Sequence, residues 1–402
     1  MFKIWGLFTL VLSSSLLAEP NQDLLSLTQS HTQFAFSLYK AAEMTSQNFV
    51  FSPHSVATSL SMAYLGARGE TASQMQTALH LDVERKNLAQ TCFLLNNSLQ
   101  PRLTKGYTLK NANALFVDQG VFLLTDFRYA IEKQLKGFLS KLNFAKPELA
   151  LSTMNDWVSQ ETEKKIPNPL SSQDINAKTQ LVLVSALYFQ GGWESSFLEK
   201  ETHDWPFHPD ADSSVTVRMM RQNVQLPYFE NPLVQLAALP FKGLSNGGGT
   251  LAFVALLPKS AENFEIMKNE LSNEFIGWLS SLKPQNVNIK LPKFSSTTRL
   301  DLRDPLEKLG MEEAFGVDAN FMGIDGMRDL FLNKVIHEAL FSVDENGATG
   351  AAATAATMQI KSAPKIELPV EFCLDHPFLY FLIDLKSQEV LFMGEMVQPE
   401  SK

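Results

Sequence analysis

Apolar residues recur along this chain in two rhythms, one at helical spacing and one in near-continuous runs. Leu24, Leu27, Phe34 and Leu38 fall on one face of a first helix. N-F-V-F-S-P-H-S-V-A-T-S-L-S-M-A-Y-L-G-A then reads as a strand passing into a helix, with Ser52 as N-cap, Pro53 at the first helical position and Gly66 near the C-cap. Thr71 and Gln74 have the spacing of a capping box for the next helix. Leu181 to Gln190, L-V-L-V-S-A-L-Y-F-Q, is apolar almost throughout, as expected of a strand covered on both faces. Two further apolar strands, H-P-F-L-Y-F-L-I-D-L and V-L-F-M-G-E-M-V-Q-P, lie near the C-terminus.

The stretch from Val343 to Pro364 obeys neither rhythm. Between Glu345 and Lys361 there is no charge, and from Gly347 to Thr357 every residue is Gly, Ala or Thr. Nothing apolar recurs there at helical spacing, so it reads as an exposed loop. A flexible linker is usually richer in Ser, Gly or charge. Small uncharged residues at every position instead let a backbone slide between two strands without clash. Side chains alternate faces along a strand, so Ala348, Gly350, Ala352, Thr354 and Ala356 would share one face if the segment entered a sheet.

A chain of 402 residues, 45% hydrophobic and 19% charged, holds one large domain or two ordinary ones. A net charge of −9 argues against nucleic acid as a partner, and no basic run of the kind that binds heparin-like polyanions is present. Lys3, the apolar stretch Ile4 to Leu12 and Leu16-Leu17-Ala18 resemble a secretory signal peptide, residues 1–18, too short to span a membrane. This leaves one domain over 19–402 and places the protein outside the cell, or in the periplasm if bacterial. Cys92 and Cys373 are far apart and are expected to be buried free thiols. The seven histidines are scattered, and His203 and His208 lack metal-ligand spacing, so neither metal nor cofactor is indicated. Asn96-Asn97-Ser98 is a formal glycosylation sequon. Gly243-Leu244-Ser245-Asn246-Gly247 matches the nucleophile elbow of serine hydrolases, but a second strand follows where a helix is required, so it is a hairpin loop.

Several motifs resemble the serpin family. E-N-G-A-T-G-A-A-A-T-A resembles the serpin hinge, with Glu345 and Gly347 at the hinge and Ala351, Ala352, Ala353 and Thr354 in its small-residue run. Ala348 stands where Thr or Ser is usual, and Gly350 where Ala is. Met154 to Ile166 is similar to the helix that crosses the main sheet, with Lys164 where Gly is common. G-G-W-E-S-S-F places Trp193 where an inserting loop first enters the sheet. Ser185 replaces the usual Asn of a polar cluster whose other candidate members are Ser52, Ser55 and His337. With L-G-A-R-G-E-T and L-G-M-E-E-A-F, the resemblance runs from about Leu24 to Pro399.

The resemblance implies an α+β serpin fold, three sheets with eight or nine helices, and an exposed reactive loop at about 345–365. It implies an inhibitor rather than an enzyme, monomeric, whose partner is a serine protease. With Glu345 as the seventeenth residue before the cut, the reactive bond is Lys361-Ser362, which suits a trypsin-like protease. Lys365 and Met358 are the competing positions. In the intact protein Ala348 is expected near the exposed base of the loop, turning inward only on insertion. A non-inhibitory carrier or chaperone is the alternative, favoured by Ala348 and Ser185.

Overall fold

The run Leu181–Gly192 becomes the centre of a six-stranded sheet, and its unbroken apolar character follows from what lies on either side. The structure is a computed structural model describing residues 22–43, 47–100, 107–243, 251–348 and 368–400. The strand order is Phe294–Asp301, Lys334–Val343, Gly347–Ala348, Leu181–Gly192, Tyr107–Asp118, Phe138–Leu142. The Pro147–Glu161 helix covers one face, where Ala150, Met154 and Val158 pack on Ala112, Ala114, Phe116, Val182, Val184, Ala186 and Ile336. The other face packs on a nine-stranded sheet through aromatic rings. Phe341 of the smaller sheet stacks on Phe253 at 6.1 Å and Tyr380 at 5.6 Å. Tyr380 crosses the backbone of Gly394, where a Cβ would stand 2.2 Å from its ring.

Hydrogen bonds run continuously through the larger sheet because the 16-residue strand Val215–Glu230 serves two groups of partners. It pairs with His203–Phe207 and Lys283–Pro292 along its length, and with Val234–Pro240 at Tyr228–Glu230. Two of the three expected sheets are thereby joined. Nine α-helices occur among the described residues, with the first over Gln22–Ala41 burying Leu27, Phe34 and Leu38. None is long and apolar enough to cross a membrane.

Ser52 caps the Pro53–Gly66 helix, its hydroxyl accepting from the Ser55 N–H at 3.0 Å. The expected capping box does not form. The next helix starts at Gly69, so Thr71 and Gln74 lie inside it, and their oxygens accept from the backbone N–H groups of Asn320 and Glu313. The sheet-crossing helix spans Pro147–Glu161 rather than 154–166, because Glu163 and Lys164 turn left-handed, with φ of 53° and 64°. Cys92 is buried, but Cys373 is only half-buried. The strands Val234–Pro240 and Leu251–Pro258 pair antiparallel, so a strand does follow the G-x-S-x-G run, although Ser245 lies outside the described residues.

Candidate functional site

Two strands of the smaller sheet run side by side and then part. Lys334–Val343 pairs in parallel with Leu181–Gly192 from Lys334 opposite Val182 to Ala339 opposite Leu187. Beyond that point Gly347 and Ala348 stand between them, opposite Gly192 and Gly191, with Ala348 also opposite Val343. The chain reaches this position through a tight turn. The Asp344 carboxylate accepts from the N–H groups of Asn346 at 2.8 Å and Gly347 at 3.1 Å. A Cβ on Gly347 would lie 2.0 Å from the Gly191 carbonyl oxygen, so no other residue fits.

Trp193 holds this turn from the facing strand. Its backbone N–H donates to the Asn346 carbonyl at 2.9 Å, its indole N–H donates to the Asp344 carbonyl at 2.8 Å, and its ring stacks on Phe241 at 4.7 Å. Glu345 is buried at 5% exposure yet charged. It pairs with Lys293 at 2.8 Å and accepts from the Thr202 hydroxyl at 2.8 Å. Burial pushes its carboxyl up, but Lys293 and Thr202 outweigh that and hold it below the usual range.

Ala348 is fully buried in the intact chain, which corrects its expected place at the exposed base of the loop. Glycines at 191, 192 and 347 remove the side chains that would have kept the strands and hinge apart. Gly350, Ala351, Ala352, Ala353, Thr354, Lys361 and Ser362, with Met358 and Lys365, lie outside the described residues, as do residues 1–18, where a signal peptide is expected.

Lower in the same sheet, polar groups cross a layer that is otherwise apolar. Asn113, Ser185 and His337 are cross-strand neighbours on three strands. His337 Nε2 accepts from the Ser52 backbone N–H at 2.9 Å, so in the neutral ring Nδ1 carries the hydrogen, 2.9 Å from the Ser185 hydroxyl and 3.1 Å from its carbonyl. Burial pushes the His337 pKa down to about 4. The Ser55 hydroxyl sits 2.7 Å from Asn113 Oδ1 and 3.0 Å from Asn111 Oδ1. Asn113 Nδ2 is buried without a hydrogen-bond partner.

The fold therefore brings Ser52, Ser55, Ser185 and His337 together but separates Trp193 from them. Seven residues of strand lie between Ser185 and Trp193, eight steps of the chain or about 27 Å. Asn111 and Asn113 were missed from sequence; their signal is two amides alternating within the apolar strand Tyr107–Asp118. Chain spacing also missed a group that the fold assembles from three elements, His31, His54 and Glu389, whose ligand atoms lie within 4.8 Å of one another. The sequon Asn96 lies on the Arg85–Leu99 helix with its side-chain oxygen 2.8 Å from His54.

A family model described as serpin (serine protease inhibitor) matches residues 29–399. The leukocyte elastase inhibitor of Sus scrofa is 34% identical, the match covering 93% of this chain and 99% of that protein. Serpin B3 of Homo sapiens is 32% identical, covering 93% and 100%. Among solved structures, Serpin48 of the insect Tenebrio molitor, described as a highly specific serpin, superposes with a TM-score of 0.84 at 28% identity, covering 95% of this chain and all of that one.

Proposed function

This chain belongs to the serpin family, and from that premise we propose that it is a secreted, monomeric, irreversible inhibitor of trypsin-like serine proteases, with Lys361-Ser362 as its reactive bond. The observation that carries the reading is the position of Gly347 and Ala348 between the strands Leu181–Gly192 and Lys334–Val343. The hinge has already begun the path that the rest of a small, uncharged loop would follow.

Loop insertion that traps the acyl-enzyme is the established behaviour of inhibitory serpins, and the strand geometry gives it a local account here. A protease nucleophile attacks the Lys361 carbonyl, the Ser362 amine leaves, and the loop's N-terminal part stays esterified to the enzyme. Free of its C-terminal tether, that part extends the Gly347–Ala348 strand downward. Each step separates a parallel pair between 182–187 and 334–339 and sets an antiparallel partner on both sides. The Ser185–His337 contact must break as the strand passes. Single-domain organisation over 19–402 and export directed by residues 1–18 complete the reading.

The relatives named leukocyte elastase inhibitor carry a different protease in their name. The choice of a trypsin-like target rests on the basic side chain of Lys361, which pairs with an acidic specificity pocket. Incubation with trypsin is expected to give a covalent 1:1 complex that survives denaturing electrophoresis, and a released peptide beginning at Ser362. Lys361→Ala should abolish the complex. A peptide beginning after Lys365 or Met358 would move the reactive bond, and absence of any complex with a panel of proteases would favour the carrier reading.

A further inference from the structure

His31, His54 and Glu389 lie outside the hinge and border the polar cluster at the sheet centre, to which Asn96 and Asn111 link them. They come from the Gln22–Ala41 helix, the Pro53–Gly66 helix and the Glu389–Met396 strand, and are 1%, 1% and 0% exposed. Nδ1 of each imidazole approaches the same carboxylate oxygen, Glu389 Oε1, at 2.7 Å. The other nitrogen of His54, Nε2, faces Asn96 Oδ1 at 2.8 Å, and that oxygen also accepts from Asn111 Nδ2 at 3.4 Å.

An amide oxygen only accepts, so Nε2 of His54 carries a hydrogen. In the neutral ring Nδ1 is then a bare lone pair aimed at a carboxylate oxygen. Two lone pairs do not rest at that separation unless a cation lies between them. A proton on His54 would serve one nitrogen and one oxygen. Here three donors from three elements converge on one point, and Glu389 Oε2 is buried and without a hydrogen-bond partner. An imidazole with one nitrogen directed inward and the other N–H held by a carbonyl is also how metal-bound histidines are oriented.

We propose that His31, His54 and Glu389 form a binding site for a divalent first-row transition metal, Zn2+ foremost, with both Nδ1 atoms and the Glu389 carboxylate as ligands. Imidazole and carboxylate together suit that class of ion. Ligands of a tetrahedral zinc stand about 3.3 Å apart, so loading moves the rings back by several tenths of an ångström and releases the protons shared with the carboxylate. A fourth position is left to water or another small ligand, since His31, His54 and Glu389 are the three side chains the fold brings together. The ion would tie two helices to the Glu389–Met396 strand, none of which belongs to the pair that parts at the hinge.

The test uses the full chain, unfolded in denaturant with a chelator and refolded with equimolar Co2+ so that burial does not bar entry. Visible absorption bands of tetrahedral Co2+, saturating at one ion per chain and displaced by Zn2+, are expected. Glu389→Gln keeps the size of the side chain and should weaken Co2+ binding at least 100-fold, and Zn2+ should raise the melting temperature of the wild type but not of this variant. A refolded wild type without those bands, or a folded Glu389→Gln chain that binds Co2+ as tightly, would overturn the site and leave the cluster held by a proton.

Discussion

The Nε2 atom of His337 accepts from a backbone N–H, and that contact sets the charge at the middle of the sheet. A second proton on the ring would place two donors face to face, in a site that burial already makes hostile to charge. Its pKa lies at about 4 in the folded chain, against about 6.5 when unfolded. Between these values the unfolded chain binds more protons, so stability falls as pH falls through that window. The loss approaches 3 kcal/mol, an order-of-magnitude figure, below pH 4. Comparing denaturant midpoints of wild type and His337→Gln at pH 7 and 4.5 isolates this part; equal pH slopes would contradict it. Lys164 is a second case. It occupies a position where serpins commonly carry Gly, and its φ of 64° gives the reason. Lys164→Gly relieves about 1–2 kcal/mol of left-handed strain and gains roughly 0.5–1 kcal/mol of unfolded-state entropy. A net rise in stability of about 0.5–1 kcal/mol is expected from chemical denaturation, and a fall would mean that the Lys side chain matters more than its backbone. Both residues were visible in sequence as candidates, but neither conformation nor hydrogen-bond partner was, because those are set by residues at least 150 positions away for His337 and by helix termination for Lys164.

Among elements, strands were more legible than helix ends. The run Leu181–Gly192 announced its burial through composition alone, since both its faces are covered. The capping-box reading at Thr71 and Gln74 failed because two distant backbone N–H groups compete for the same oxygens, and tertiary partners leave no local trace. The hinge was legible in residue type but not in position: small residues permit insertion, and only the paired strands reveal that insertion has started at Ala348. That difference changes what a substitution there does. Ala348→Arg would place an unpartnered guanidinium in a site with no exposure even before cleavage, at a cost of several kcal/mol. The hinge should be expelled, the intact chain should lose stability, and trapping should slow. Because trapping is a race with deacylation, about 1.4 kcal/mol on the insertion barrier slows it tenfold. The number of inhibitor molecules consumed per protease inactivated should rise steeply, with the initial cleavage rate unchanged; an unchanged stoichiometry would show that Ala348 does not lie on the insertion path.

At the scale of the molecule, the sheet in which Lys334–Val343 meets Leu181–Gly192 holds less hydrogen bonding than its sequence can supply. A parallel ladder joins those strands from 182–187 to 334–339, and a loop strand entering between them would exchange it for two antiparallel ladders. Each added backbone hydrogen bond contributes about 0.5–1.5 kcal/mol net, while the aromatic core between the two sheets and the Pro147–Glu161 helix need not be rebuilt. A nick in a surface loop normally leaves stability unchanged or lowers it, so the account makes an opposite demand on this chain. The measurement is the melting temperature before and after cleavage within Met358 to Lys365 by a protease that is not trapped. The account predicts a sharp rise in the cleaved chain, and an unchanged or lower melting temperature would contradict insertion.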